Sequence, residues 1–121
     1  MAQGNSVVGK IFSVTEHTSS VLLLTDSHSR IIAEILAKNS ATGVIHGEFQ
    51  LGLRMDLIPI TQSLQKNMIV VTSGLEEGIP PGLLIGTIED VSARPSDLYQ
   101  SARIRPSIHY DSLRLVSVVA P

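Results

Sequence analysis

Residues 68–91, MIVVTSGLEEGIPPGLLIGTIEDV, constrain the fold of this chain more than any other stretch. Two aliphatic runs, 68–72 and 83–91, flank a segment punctuated by Gly74, Gly78, Pro80, Pro81 and Gly82. Runs rich in β-branched residues favour strands, and the punctuation forbids a helix through the middle. The segment reads as strand, rigid loop, strand. Thr72 and Ser73 end the first strand, and Gly74, Pro80, Pro81, Gly82 and Gly86 are read as shaping residues. Glycine can take positive φ and proline holds φ near about −65°, so such a loop stays rigid without helices packed around it.

Similar strand signals recur along the chain with turn residues between them, the pattern of a sandwich or barrel. Residues 7–14 form the first. Residues 19–25 (SSVLLLT) are nearly continuous in apolar side chains, which predicts a strand buried on both faces. Asp26, Ser27, His28 and Ser29 make a turn, residues 30–37 a strand, and 38–43 another polar turn. Residues 42–50 form a weaker strand with Gly47 as a candidate bulge. In 51–57, Leu51, Leu53, Met55 and Leu57 face one way, with Gly52, Arg54 and Asp56 the other. Pro59 ends that strand, and 61–67 read as a loop or a single helical turn. Arg94, Pro95, Ser96 and Asp97 form a turn. Residues 99–105 then carry Tyr99, Ser101, Arg103 and Arg105 on one face, Pro106 stops them, and 113–119 make a last strand. No window shows a helical apolar period. The expected fold is all-β: a small antiparallel barrel, closed to remove strand edges, with connections too short for parallel crossovers.

At 121 residues the chain suits one domain, burying roughly two thirds of its unfolded surface. Net charge is −2 with signs interspersed, which argues against a nucleic-acid or anionic-membrane surface. Aromatic residues are too scarce to give single-strand binders their stacking platforms. With no cysteine, disulfides and thiolate zinc sites are excluded. No apolar run approaches the ~18 residues of a spanning helix, and the first residues lack a signal peptide's apolar stretch.

The 68–91 segment resembles the C-terminal extracytoplasmic β-domain of the rod shape-determining protein MreC family. There a strand ending V-T-S-G-L runs through a glycine- and proline-containing loop into P-x-G-[LI]-x-[IV]-G-x-[IV]. Val8, Gly9, Lys10, Ile11 and Val14 are similar to the family's L-V-G-x-V-x-x-V strand, and SVLLLTD at 20–26, followed by Ser29, to its V-x-L-[IL]-T-D-x-x-S segment. Gly43 to Gly47, GVIHG, sits where the family has G-[IV]-[IVL]-x-G. LGLRMDLIP at 51–59 resembles its L-x-L-x-[YHF]-[LI]-P run, with Asp56 and Leu57 standing where an aromatic or His is usual. Ile104, Arg105, Pro106 and residues 113–119 match its V-x-P and L-x-x-[VL]-x-V ending.

The resemblance implies a non-catalytic scaffold of the bacterial cell-elongation machinery that maintains cell shape and takes no cofactor. It implies self-association and binding to a penicillin-binding protein, alongside MreD, RodA and, indirectly, the actin-like MreB. It implies placement on the extracytoplasmic side of the membrane, in the periplasm or its equivalent. The whole of 1–121 would be the distal β-region, without the family's membrane helix and coiled coil, and its end strands would belong to a neighbouring small barrel.

Two rival readings are a chymotrypsin-like barrel hydrolase and a generic protein-interaction barrel. His17, Asp26 and Ser73 occur in the chain order of a chymotrypsin-type triad, but the nucleophile motif G-D-S-G-G is missing, and Ser-Gly after a strand commonly starts a tight turn. His17, His28, His46 and His109 each lie beside polar residues, as solvated histidines do, and none pairs with another at i+2 or i+4. Glu89 and Asp90, adjacent on a strand, are expected on opposite faces, and Glu76 and Glu77 are expected to be solvated. The candidate partner contacts are Tyr99, Arg103 and Arg105 on one strand face, and Leu75 and Ile79 on the loop. The two loop residues either fold back as a lid on the barrel end, the favoured arrangement, or stay exposed. A far-UV circular dichroism spectrum should show a β-rich chain; a quarter or more helix would overturn the fold.

Overall fold

A computed structural model of the chain describes residues 2–3, 6–38, 40–48, 52–94, 96–108 and 118. Ten strands follow in order: β1 (Ala2–Gln3), β2 (Ser6–Val7), β3 (Gly9–Val14), β4 (Ser19–Leu23), β5 (Arg30–Ile35), β6 (Ala41–Glu48), β7 (Gly52–Pro59), β8 (Ile69–Thr72), β9 (Leu84–Ser92) and β10 (Tyr99–Pro106). No helix occurs among the described residues. Leu51 and most of 113–119, read as strand from the sequence, lie outside them, as does His109.

Strands β9, β10, β7, β6, β5 and β8 are neighbours in that order, and β8 pairs back onto β9, closing a six-stranded antiparallel barrel. Closure leaves no long free edge. Its interior is aliphatic: Ile31, Ile35, Ile45, Leu53, Met55, Ile58, Val70, Ile85, Ile88 and Ile104 are all buried. β5 and β6 show the strict alternation of a half-buried sheet, with Ile31, Ala33 and Ile35 inward on one and Ala41, Gly43, Ile45 and Gly47 on the other. The sheet is antiparallel apart from one parallel pair, Ser6 with Leu84, which attaches β2 to β9.

Strands β3 and β4 pair with each other in a separate two-stranded ribbon. The SSVLLLT stretch is therefore not a doubly buried strand. Ser19 and Ser20 are exposed and Val21, Leu22 and Leu23 half-buried, while burial is complete only at Leu24 and nearly so at Thr25, beyond the strand. A ribbon outside the barrel has only one face to cover, whatever its hydrophobicity. Gly47, the candidate bulge, pairs with Leu53 in an unbroken β6–β7 register. It serves close approach instead: a Cβ there would lie 2.2 Å from the Thr25 carbonyl carbon, where the chain leaving the ribbon crosses the barrel.

The barrel has two distinct ends. Antiparallel pairing puts Arg30, Glu48, Gly52, Thr72, Leu84 and Pro106 at the end where the ribbon attaches. Ile35, Ala41, Pro59, Ile69, Ser92 and Tyr99 lie at the other.

Tight packing predicts sharp positional differences between glycines. A Cβ at Gly86 would stand 2.1 Å from the Arg105 carbonyl oxygen across the β9–β10 ladder, whereas Gly52 has nothing within 4 Å. Gly86→Ala should cost about 1–3 kcal/mol by overpacking and Gly52→Ala should stay within about 0.5 kcal/mol of wild type, both read from denaturant midpoints.

Candidate functional site

The loop between β8 and β9 is clasped by hydroxyl groups. Thr72, buried at the end of β8, donates from Oγ1 to the Pro80 carbonyl at 2.7 Å and accepts from the Leu83 N–H at 2.9 Å. Backbone bonds from Thr72 N–H to Leu83 O and from Gly82 N–H to Thr72 O seal the same crossing. Ser73 Oγ donates to the Ile32 carbonyl at 3.0 Å and accepts from the Leu75 N–H at 3.1 Å. Gly74 and Gly82 both hold positive φ, +77° and +82°, and the Pro81 ring lies against Gly74. The V-T-S-G and P-P-G elements are thus two sides of one clasp.

The residues of the triad order have other partners. Ser73 is committed to the β5 edge, Asp26 accepts from the His28 N–H and lies beside its ring, and His17 is exposed next to Glu16. Among the described residues no group of three or more His, Asp or Glu side chains is placed to hold a metal.

Ile79 folds back against the core cluster, while Leu75 is 68% exposed. The two apolar loop residues therefore divide between lid and surface. Glu77 is exposed, but Glu76 is not the solvated residue its loop position suggested: its carboxylate bonds Lys10 and the Ile32 N–H.

Two bulges re-aim side chains on the outer wall. Between β7 and β10, Ile58 pairs with Gln100 and Met55 with Ala102, so Asp56 and Leu57 together oppose Ser101. Leu57 leaves the inward row of Leu53 and Met55, becomes 56% exposed, and Ile58 takes its place in the core. Its φ of +60° is a rare conformation for a bulky side chain. Between β9 and β10, Arg103 pairs with Asp90 and Ile104 with Ile88, which makes Glu89 the extra residue. Strict alternation fails there. Asp90 meets Arg103 at 3.5 Å and Glu89 meets Arg105 at 3.6 Å, both on the outer face.

β10 carries Tyr99, Arg103 and Arg105 outward, between buried Gln100, Ala102 and Ile104. Its exposed ion pairs add little stability. Tyr99 is 51% exposed opposite Pro59, and next to it Leu98 is 79% exposed. With Leu57 they are exposed apolar residues at the end of the barrel away from the ribbon. A shallow cavity of about 480 Å³ opens beside it, lined by Asp56, Leu57, Arg94, Asp97 and Tyr99 among others.

His46 is mostly buried and bonds Asp56 through Nε2, with Arg54 against both and Glu48 at 3.1 Å from Arg54. Local pattern carries no sign of this network, because register across β6 and β7 brings His46 beside Arg54 and Val44 beside Asp56.

Residues 1–120 match the family model described as "Rod shape-determining protein MreC, barrel core". The chain belongs to the MreC family. It is 33% identical over 120 residues to the "Cell shape-determining protein MreC" of Listeria monocytogenes, spanning 95% of this chain and 40% of that protein. The solved Listeria monocytogenes MreC structure superposes with a TM-score of 0.81 at 33% identity, over 91% of this chain and 55% of that one. An MreC from Helicobacter pylori, solved in complex with a penicillin-binding protein (PBP2), shares the fold with a TM-score of 0.77 at 19% identity, over 93% of this chain and 68% of that one. The chain thus spans less than half the length of its curated Listeria relative.

The clasp yields a comparison. Gly82→Val forces a β-branched side chain into positive φ and should cost about 1–3 kcal/mol, while Glu77→Ala, at an exposed position, should cost under about 0.5 kcal/mol. Equal melting temperatures for the two variants would refute the rigid clasp.

Proposed function

We propose that this chain is the barrel core of a non-catalytic cell-shape scaffold, acting on the extracytoplasmic side of the bacterial membrane by binding other proteins. The observation that carries the reading is the family match across residues 1–120, on a barrel whose exposed features are apolar side chains and ion pairs. Its partners are a penicillin-binding protein of the elongation machinery and other copies of itself, with MreD, RodA and, indirectly, MreB in the same machinery. The Helicobacter pylori complex, of a relative with the same fold, supports the first of these. No helix among the described residues is long and apolar enough to cross a membrane. The β3–β4 ribbon would then be shared with a neighbouring small barrel.

The docking surface we favour starts at the Tyr99 end of the barrel, with Leu57 and Leu98 as apolar anchors, and continues along β10 toward the ribbon end through Arg103 and Arg105. Tyrosine and arginine are enriched at interfaces, and a bulge that holds Leu57 outward against its conformational preference supports a role beyond packing. Leu75, at the opposite end, is the weaker candidate, and Ile79 is committed to the core. Calorimetric titration with the extracytoplasmic part of the cognate penicillin-binding protein should give a Kd on the order of micromolar or weaker for this module alone. Leu57→Asp combined with Tyr99→Ser should weaken binding at least about tenfold, a loss of about 1.4 kcal/mol. Charge reversal at Arg103 and Arg105 should act mainly through salt dependence. Binding that survives all four changes would remove this surface from consideration.

A further inference from the structure

One wall of the barrel is completed by side chains where a strand stops short. β8 pairs with β5 only from Ala33 to Ile35, so no strand of the described residues pairs with Arg30 and Ile32 on that side. Loop and ribbon residues fill the gap. The Ile32 N–H donates to Glu76 Oε1, the Ile32 carbonyl accepts from both the N–H and the hydroxyl of Ser73, and the Arg30 carbonyl accepts from Lys10 Nζ at 2.7 Å. The second carboxylate oxygen of Glu76 meets the same Lys10 Nζ at 2.7 Å. One side chain therefore joins the loop it comes from, the edge of β5, and the β3–β4 ribbon.

Among the described residues β3 and β4 pair with each other and not with the barrel sheet, and the base of the ribbon is seated by Leu24, which is buried in the core and donates its N–H to the Val8 carbonyl. Beside the bridge lies a cavity of about 270 Å³, lined by Ile11, Ile31, Ile79 and Leu83 as well as Lys10 and Glu76. Glu76 and Lys10 are mostly buried, so solvent screens their attraction less than it screens the outer-wall pairs. A bond from an ionised acceptor to an edge N–H is also stronger than a neutral one.

We propose that Glu76 is a latch: its carboxylate substitutes for the missing strand along β5 and, through Lys10, fixes the ribbon against the barrel. Releasing it opens the strand edge and frees the ribbon together. An unpaired edge is a template for another strand, so the latch also guards the barrel against stray pairing.

The chain has no cysteine, so paired spin labels can be introduced cleanly at Glu16→Cys on the ribbon tip and Lys66→Cys at the far end of the barrel. Glu76→Ala and Lys10→Met should each broaden or shift the distance distribution, while Glu77→Ala leaves it unchanged. In Glu76→Ala the Ile32 amide should exchange about tenfold faster or more, with the core amide of Ile45 at its wild-type rate. Unchanged distances in both latch variants would overturn the proposal. So would the same broadening in Glu77→Ala, or an equal acceleration at Ile45, since these report general loosening.

Discussion

Closure of the barrel rests on β8, a strand of four residues that must pair with β5 on one side and β9 on the other. Without it β5 and β9 would both be long free edges of an aliphatic sheet, and the interior around Ile35, Val70 and Ile85 would open to water. So short a strand cannot hold two ladders by hydrogen bonds alone. The Thr72 hydroxyl clasps the chain at Pro80 and Leu83, three glycines take the positive φ that the loop demands, and Ser73 and Glu76 extend the pairing beyond the strand's end. Buried polar groups here are satisfied, as they must be where water is excluded.

The outer wall obeys a different logic. Two bulges break the alternation of β7 and β9, and each brings outward a residue that strict alternation assigns elsewhere. In β7 the consequence is an exposed leucine beside an exposed tyrosine. In β9 it is a second carboxylate facing the arginines of β10. A bulge adds local twist and re-aims side chains while the rest of the ladder keeps its register. Side chains on this wall can therefore vary without disturbing the core. The two ends of the barrel divide in the same way: one is occupied by the ribbon and the clasped loop, the other carries Leu57, Leu98 and Tyr99.

The all-β class, most strand positions and the loop between β8 and β9 were legible in the residues, because alternation, β-branching and Gly–Pro punctuation act over a few neighbours. Family resemblance was legible for the same reason, its motifs being strand-and-turn strings in a fixed order. Tyr99, Arg103 and Arg105 could be placed on one face because β10 alternates with its buried Gln100, Ala102 and Ile104. Leu57, Glu89, His46 and Glu76 could not be read correctly. Each depends on a partner strand that local pattern does not contain: Ser101 opposite the β7 bulge, Arg105 across the β9 bulge, Asp56 across β6 and β7, and Ile32 and Lys10 for the loop carboxylate.

Local residue pattern specified what kind of surface each strand offers and where the chain must turn. How the strands pair came from the fold: β3 and β4 stand outside the barrel as a ribbon, β8 closes it, and register shifts put Leu57 and Glu89 on the outer wall. The reason is physical. Side-chain period and backbone preference are set between neighbours in the chain, while register is set by hydrogen bonds between residues tens of positions apart, and one extra residue in a ladder redirects every side chain beside it.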